Sequence, residues 1–161
     1  MPQTLIEGKN KKEQMCQLVC FMLGEEEYAF DMHCVQVAVR VSPITAVPQV
    51  PEYIMGVMNL RGALYTIIDL GKKMGIKHKP QDEDTRIIIA NTDSVSLGVV
   101  VDRILDNRWV PVSAINREFK NKNKMIEDFI NGVVIVESCL IVVLDIVKIN
   151  TQILQEVSAA A

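Results

Sequence analysis

Residues 53–70 read YIMGVMNLRGALYTIIDL. Two short apolar runs are separated only by Arg61-Gly62. A two-residue connection with glycine is typical of a tight β-hairpin, because glycine tolerates the positive φ that such turns need. Asp69 ends the second run, where it can cap a short helical turn that Gly75 closes. The stretch therefore predicts a hairpin with Arg61 at its tip, followed by one turn of helix.

The same pattern occurs again later in the chain. Residues 129–146 read FINGVVIVESCLIVVLDI, and Gly132 aligns with Gly56 at a constant shift of 132 − 56 = 76. A weaker echo aligns Phe30-Asp31 with Val101-Asp102 at a shift of 102 − 31 = 71. A duplicated unit of several short strands predicts an all-β protein with two small β-barrels packed side by side.

Around these repeats, the remaining apolar runs predict further elements. Met15 to Leu23 and Tyr28 to Phe30 predict an N-terminal hairpin. Asp31 has the residue type of a helix N-cap, so we predict a short helix over Met32 to Val39 that ends before Ser42-Pro43.

The predicted domain organisation follows from composition along the chain. We expect one domain over residues 15–150, with approximate subdomains 15–80 and 81–150. The polar, proline-bearing stretch 76–84 is the predicted joint between them. Residues 1–14 are polar and lysine-rich and predict a flexible tail, and 151–161 predict a C-terminal helix and tail.

Composition and charge exclude several classes of protein. The chain has 161 residues, of which 49% are hydrophobic, and its longest apolar runs, such as Cys139 to Leu144, are short. A membrane-spanning helix needs roughly 18 to 20 apolar residues, so we expect none. The polar residues Glu7 and Lys9 to Lys12 do not fit a secretory signal, which favours the cytoplasm. A net charge of −3 argues against nucleic acid as a partner.

The four cysteines lie inside apolar runs, and we expect all of them to be buried, protonated thiols. The alternative is a metal site built from Cys16, Cys20, His33 and Cys34. Adjacent residues of a strand point to opposite faces, so His33 and Cys34 would diverge. We therefore favour buried thiols over a metal site.

The sequence contains no assembled catalytic motif. Gly71-Lys72 lacks the upstream glycine and the following Ser or Thr of a phosphate-binding loop. His33 and His78 have no zinc-binding spacing, and we expect His78 to be a solvated loop residue. Asp69 and Asp145 could form a carboxylate pair for acid–base catalysis, but helix capping explains both. We predict no enzyme activity and no cofactor, with a small β-barrel enzyme or metal protein as the runner-up.

Several motifs together resemble the CheW family of chemotaxis coupling proteins. The most specific is the Asn-Leu-Arg-Gly hairpin at 59–62, preceded by Gly-Val at 56–57. The others are Leu23 to Asp31, Val35-Gln36, Ile44-Thr45 with Val47-Pro48, Ile67 to Leu70, and Leu97 to Asp102. The resemblance extends from about Met15 to Val147.

The resemblance implies two similar five-stranded barrels around a shared hydrophobic seam, with short helices and a C-terminal helix. It also implies a non-catalytic adaptor that couples chemoreceptors (methyl-accepting chemotaxis proteins) to the histidine kinase CheA in membrane-associated arrays. The expected partners are the regulatory domain of the CheA-type kinase and the cytoplasmic tip of the chemoreceptors. A module for another two-component pathway is the alternative.

The resemblance further implies two contact regions. The receptor tip is expected in the groove between the barrels, near Val35, Val37, Gly56, Asn59, Leu60, Arg61 and Gly98. Kinase contact is expected on the outer face of the first barrel, at Arg40, Val41, Ser42, Pro43, Ile44 and Tyr65.

Two departures from the family pattern stand out. Val37-Ala38 replaces an acidic residue followed by Ile, which predicts an apolar contact at the groove. Glu137-Ser138 replaces an Asp-Gly turn, and because Ser disfavours positive φ we expect a different turn type there.

Overall fold

The computed structural model describes residues 13–119 and 124–160. Within these residues there are eleven strands and three α-helices. The strands are β1 Met15–Leu23, β2 Glu26–Asp31, β3 Val35–Arg40, β4 Ile54–Leu60, β5 Ala63–Asp69, β6 Arg86–Asn91, β7 Ser96–Val101, β8 Arg103–Ile104, β9 Arg108–Pro111, β10 Ile130–Val136 and β11 Cys139–Leu144. The helices are α1 Leu70–Met74, α2 Lys124–Glu127 and α3 Ile146–Ala160.

Strands β3 to β7 form one sheet in the order β3-β6-β7-β5-β4. After β3 the chain returns to the far edge of this sheet, where Thr45 pairs with Val57 of β4. The pairing closes the sheet into a barrel around an apolar interior. That interior consists of Met58, Tyr65, Ile67, Ile87, Ile89 and Val100. We call this unit the continuous barrel, because its strands are consecutive in the chain.

The other strands form a second sheet in the order β10-β11-β2-β1, with β8 and β9 pairing with successive parts of β1. Asn116 pairs with Val133 of β10 and closes this sheet in the same way as Thr45 closes the first. Its interior includes Leu18, Cys20 and Val143. We call this unit the split barrel, because β1 and β2 are far in sequence from β8 to β11.

The seam between the barrels is the largest apolar cluster. Strand alternation supplies both sides of each sheet: in β6, Ile87 and Ile89 face the barrel interior, whereas Ile88 faces the seam. In β1, Phe21 faces the seam and Cys20 faces the interior of the split barrel. The predicted architecture of two barrels around a shared seam is confirmed.

The two sequence repeats are interleaved in space. The first repeat supplies β1 and β2 to the split barrel and β3 to β5 to the continuous barrel, and the second repeat does the reverse. Parallel pairing of β5 with β7, and of β11 with β2, produces this exchange. The expected subdomain limits, 15–80 and 81–150, are therefore corrected: they delimit the repeats, and each barrel draws strands from both.

The predicted helix over Met32 to Val39 is wrong. Asp31 does act as a cap, because its carboxylate accepts a hydrogen bond from His33 N at 2.9 Å, but the turn ends at Cys34. From Val35 the alternating β-branched residues form β3 instead. Helix α3 confirms the predicted C-terminal helix and begins earlier, at Ile146. The predicted tail lies outside the described residues, except for residues 13 and 14.

Candidate partner-binding surface

The β4–β5 hairpin displays Arg61 at its tip. Arg61 and Gly62 both have left-handed backbone angles, with φ of 53° and 86°. Asn59 Oδ1 accepts a hydrogen bond from Gly62 N at 3.1 Å, so the Asn59 side chain closes the turn. The Arg61 side chain is exposed. The hairpin thus displays the cation of Arg61 on the surface.

Leu64 adds an apolar side chain beside this cation. It pairs directly with Asn59 across the hairpin and is 65% exposed. Its neighbours Tyr65 and Ile67 belong to the barrel interior. Strand alternation from these two residues would have predicted that Leu64 faces outward. We call Asn59, Arg61 and Leu64 the hairpin surface.

The expected place of Val37 in a groove stays a prediction. Its half-buried side chain packs against the interior of the continuous barrel, as does Leu60. Val35, by contrast, packs against the seam. Residues two apart in a regular strand point to the same face. A β-bulge between Val35 and Val37 interrupts this alternation, so their side chains reach different clusters. The outward residue at this point of β3 is Ala38.

Gly56 and Gly98 are buried, so neither is an exposed contact residue. A Cβ at Gly56 would lie 2.0 Å from the carbonyl oxygen of Thr45, and its φ is 139°. A Cβ at Gly98 would lie 2.5 Å from the Ile67 side chain. Both positions therefore need glycine for packing, and their expected part in a binding groove stays a prediction.

The expected kinase-contact residues include both exposed and buried side chains. Arg40, Ser42 and Pro43 are exposed, whereas Val41 and Ile44 are half-buried and pack against the interior of the continuous barrel. Tyr65 is only 3% exposed. Its hydroxyl donates a hydrogen bond to Gln36 Oε1 at 3.1 Å and accepts one from Asn91 Nδ2 at 3.3 Å. Tyr65 is therefore an interior residue.

His78 is not a solvated loop residue. Its Nε2 lies 3.0 Å from Asp69 Oδ1 and its Nδ1 lies 3.2 Å from Asp102 Oδ1. The other Asp102 oxygen accepts a hydrogen bond from Gly24 N, in the β1–β2 turn, at 2.9 Å. His78 thus fixes the segment between the repeats to both barrels. Asp69 also caps α1 through Lys72 N at 3.1 Å, as expected.

The cysteines differ in exposure, which corrects the expectation that all four are buried. Cys16 and Cys20 are buried, Cys34 is half-buried and Cys139 is exposed at the start of β11. Burial, followed by the charge of Glu27, raises the pKa of Cys20 to about 12. Burial also raises the pKa of Cys16 and of Cys34.

Metal-binding clusters and membrane-spanning helices are both lacking in the described part of the chain. In residues 13–119 and 124–160, no group of three or more His, Cys, Asp or Glu side chains is arranged to hold a metal ion. No helix in these same ranges is long and apolar enough to cross a membrane.

The β10–β11 hairpin is the counterpart of the β4–β5 hairpin. Glu137 and Ser138 have φ of 50° and 68°, so this turn adopts the same left-handed conformation as Arg61-Gly62. The expected change of turn type is wrong. Ile135 and Leu140 pair across the hairpin and are 70% and 44% exposed.

Comparisons with known proteins agree with this architecture. The family model described as CheW-like domain matches residues 17–153. Chemotaxis protein CheW of Thermotoga maritima is 31% identical over 142 residues, which cover 85% of this chain and 89% of that protein. Chemotaxis protein CheW of Helicobacter pylori is 34% identical over 94 residues, which cover 58% of this chain and only 57% of that protein.

A solved structure has a similar overall fold. The crystal structure of the scaffolding protein TtCheW from Thermoanaerobacter tengcongensis superposes with a TM-score of 0.75 at 28% sequence identity. The match covers 82% of this chain and 90% of that one. Together with the family model over residues 17–153, these likenesses show that the chain belongs to the CheW-like family.

Proposed function

We propose that this chain is a non-catalytic adaptor that couples chemoreceptors to a CheA-type histidine kinase. The observation that supports this most directly is the hairpin surface, where the exposed side chains of Arg61 and Leu64 project from the β4–β5 hairpin. Membership of the CheW-like family gives the class of function, since relatives are named as chemotaxis and scaffolding proteins.

The chemistry of the hairpin surface suits protein binding. Arginine offers five donors in a planar group and can also stack on apolar surface. Residues of this type are enriched among the few that dominate binding energy. Leu64 supplies adjacent apolar area that the fold leaves uncovered. An apolar and acidic segment of a partner would satisfy both side chains.

We assign the receptor tip to this surface and to the half-buried residues behind it. Asn59, Arg61 and Leu64 make the direct contacts, and Val35 and Leu60 support them from beneath. Gly56, Gly98 and Val37 act on this surface only through packing, because they face the interior. These roles are consistent with the exposure of each side chain.

The kinase is assigned to the outer face of the continuous barrel. Arg40, Ser42 and Pro43 are exposed on β3 and the segment that follows it. Tyr65 lies inside the barrel and supports this region by its hydrogen bond to Gln36. In this scheme the protein works in the cytoplasm and reaches membrane receptor arrays through its partners alone.

Reconstitution tests the proposal. The chain is mixed with a CheA-type kinase and vesicles that display receptor cytoplasmic fragments, and kinase phosphorylation is measured after sedimentation. We expect the chain to bring the kinase into the pellet and to make the activity of the kinase depend on the receptor fragments. If the chain binds neither partner, or binds both without changing kinase activity, the proposal fails.

A further inference from the structure

Helix α1 buries a lysine between two aromatic rings. The Lys73 side chain is only 4% exposed. Its Nζ lies 4.4 Å from the centroid of the Tyr53 ring and 5.4 Å from that of Phe129. Tyr53 and Phe129 are equivalent positions of the two repeats, since each opens the shared pattern. The cation is therefore held by one aromatic ring from each repeat.

The repeat identifies what the fold requires at this position. At the same shift, the counterpart of Lys73 is Ile149, which is fully buried in the seam. An apolar side chain thus satisfies the packing of the equivalent site. A buried ammonium, in contrast, needs a counter-charge.

Helix α3 provides that counter-charge from its C-terminal part, which has no equivalent in helix α1 of the first repeat. Helix α1 ends at Met74, which is equivalent to Asn150, whereas α3 continues to Ala160. In this extension Glu156 Oε1 accepts a hydrogen bond from Lys73 Nζ at 2.6 Å and another from the Tyr53 hydroxyl.

Among the described side chains, two attach the extension to the apolar seam. Ile153 is buried, and Val157 is half-buried against the seam. Leu154 is 58% exposed, and Gln155 is also exposed. Apart from Ile153 and Val157, the Glu156 contacts provide its attachment among the described side chains.

We propose that residues 151–158 of α3 form a releasable strap, closed over the barrel seam by the contacts of Glu156 with Lys73 and Tyr53. Release would uncover a surface made of one cation and two aromatic rings. The charge of the Glu156 carboxylate thus controls whether the strap is open or closed.

The direction of the pH dependence follows from the Glu156 environment. Burial raises its pKa, but hydrogen bonds from Lys73 and Tyr53, with the Lys73 charge, outweigh burial and leave the pKa lowered. A lowered carboxyl pKa means that the Glu156 contacts stabilise the closed strap at neutral pH, and that this contribution is lost as pH falls through the lowered value. The charged and titratable groups that the described residues place against Glu156 are Lys73 and Tyr53.

Hydrogen exchange of the full chain at pH 7 tests the strap. We expect Glu156→Gln to speed amide exchange in residues 153–158 by about tenfold, since a buried cation loses its partner charge. Amides of β6 should keep their parental rates. Lys148→Gln, which removes an exposed charge from the same helix, is the matched control and should change the same amides less than twofold.

A double variant separates charge from packing. Lys73→Met removes the need for a counter-charge, so Lys73→Met/Glu156→Gln should exchange at least several-fold more slowly at 153–158 than Glu156→Gln alone. The proposal is overturned if Glu156→Gln matches the parent, or if the double variant is as fast as the single one. Equal acceleration in β6 would also overturn it, because Glu156 would then support the whole fold.

Discussion

Arg61 and Glu137 occupy equivalent positions of the two repeats and have nearly the same left-handed φ, 53° and 50°. The residue after each completes the turn, with φ of 86° at Gly62 and 68° at Ser138. The hairpin geometry is thus kept while the charge at the tip is inverted. Turn conformation and surface chemistry are independent at these two sites.

This relationship predicts opposite effects of exchanging glycine and serine. Ser138→Gly should stabilise the protein by about 0.5–1 kcal/mol, because glycine removes the cost of left-handed φ but loses more chain entropy on folding. Gly62→Ser should destabilise by a similar amount. Urea denaturation midpoints measure both. If Ser138→Gly lowers the urea midpoint, the left-handed φ of Ser138 does not destabilise the protein.

Two adjacent residues of β3 should differ in how well they tolerate a new charge. Val37→Glu puts a carboxylate against the interior of the continuous barrel, and we expect a loss of about 1–3 kcal/mol of unfolding free energy. Ala38 is exposed, so Ala38→Glu should change stability by less than about 0.5 kcal/mol. Thermal unfolding distinguishes them. Equal tolerance of both changes would contradict the inward orientation of Val37.

The two buried glycines should differ in how severely alanine disturbs them. At Gly56 the added Cβ meets the backbone of Thr45, which cannot move away alone, so the loss should reach about 3 kcal/mol or more. At Gly98 it meets the ends of isoleucine side chains, and the loss should be about 1–2 kcal/mol. Urea denaturation at fixed temperature gives both values. A larger effect at Gly98 would contradict the close contact at Gly56.

Much of the architecture was predictable from the repeat, whereas the exchange of strands was not. The constant shift between the repeats placed the two hairpins and both capping aspartates correctly. Apolar alternation cannot tell which sheet a strand joins, because β2 and β7 have inward residues on both faces. The joint at 76–84 therefore suggested that each repeat forms one barrel. In the structure the strands of the two repeats interleave, and each barrel contains strands from both.

The candidate partner-binding surface was also predictable only in part. The turn sequence Arg61-Gly62 identified an exposed cation, and alternation along β5 would have identified Leu64. Burial of Gly98 depends on side chains from β5 and β6, which local sequence does not reveal. The bulge in β3 separates Val35 from Val37, and the loop sequence around His78 gives no sign of its two carboxylate partners.

Thiol modification should reveal three classes of cysteine. Cys139 is exposed and should react with iodoacetamide within minutes, Cys34 more slowly, and Cys16 and Cys20 only after unfolding. The Cys20 pKa of about 12 keeps that thiol protonated and unreactive even at pH 9. Mass spectrometry of digested protein gives the order. Early modification of Cys20 would contradict its place inside the split barrel.

The proposed coupling role depends most directly on Arg61. Because its side chain is exposed, Arg61→Ala should leave the melting temperature within about 2 °C of the parent, as surface changes of under about 0.5 kcal/mol do. Binding to receptor fragments should weaken by about 1–2 kcal/mol, roughly a five- to thirtyfold loss of affinity.

The decisive measurement is receptor-dependent kinase activity with the parent, Arg61→Ala, and Lys148→Gln as an exposed-charge control. We expect activation to require about tenfold more Arg61→Ala protein than parent, whereas Lys148→Gln should activate as the parent does. If a folded Arg61→Ala protein activates the kinase at parental concentration, then the hairpin surface does not couple receptor to kinase through Arg61.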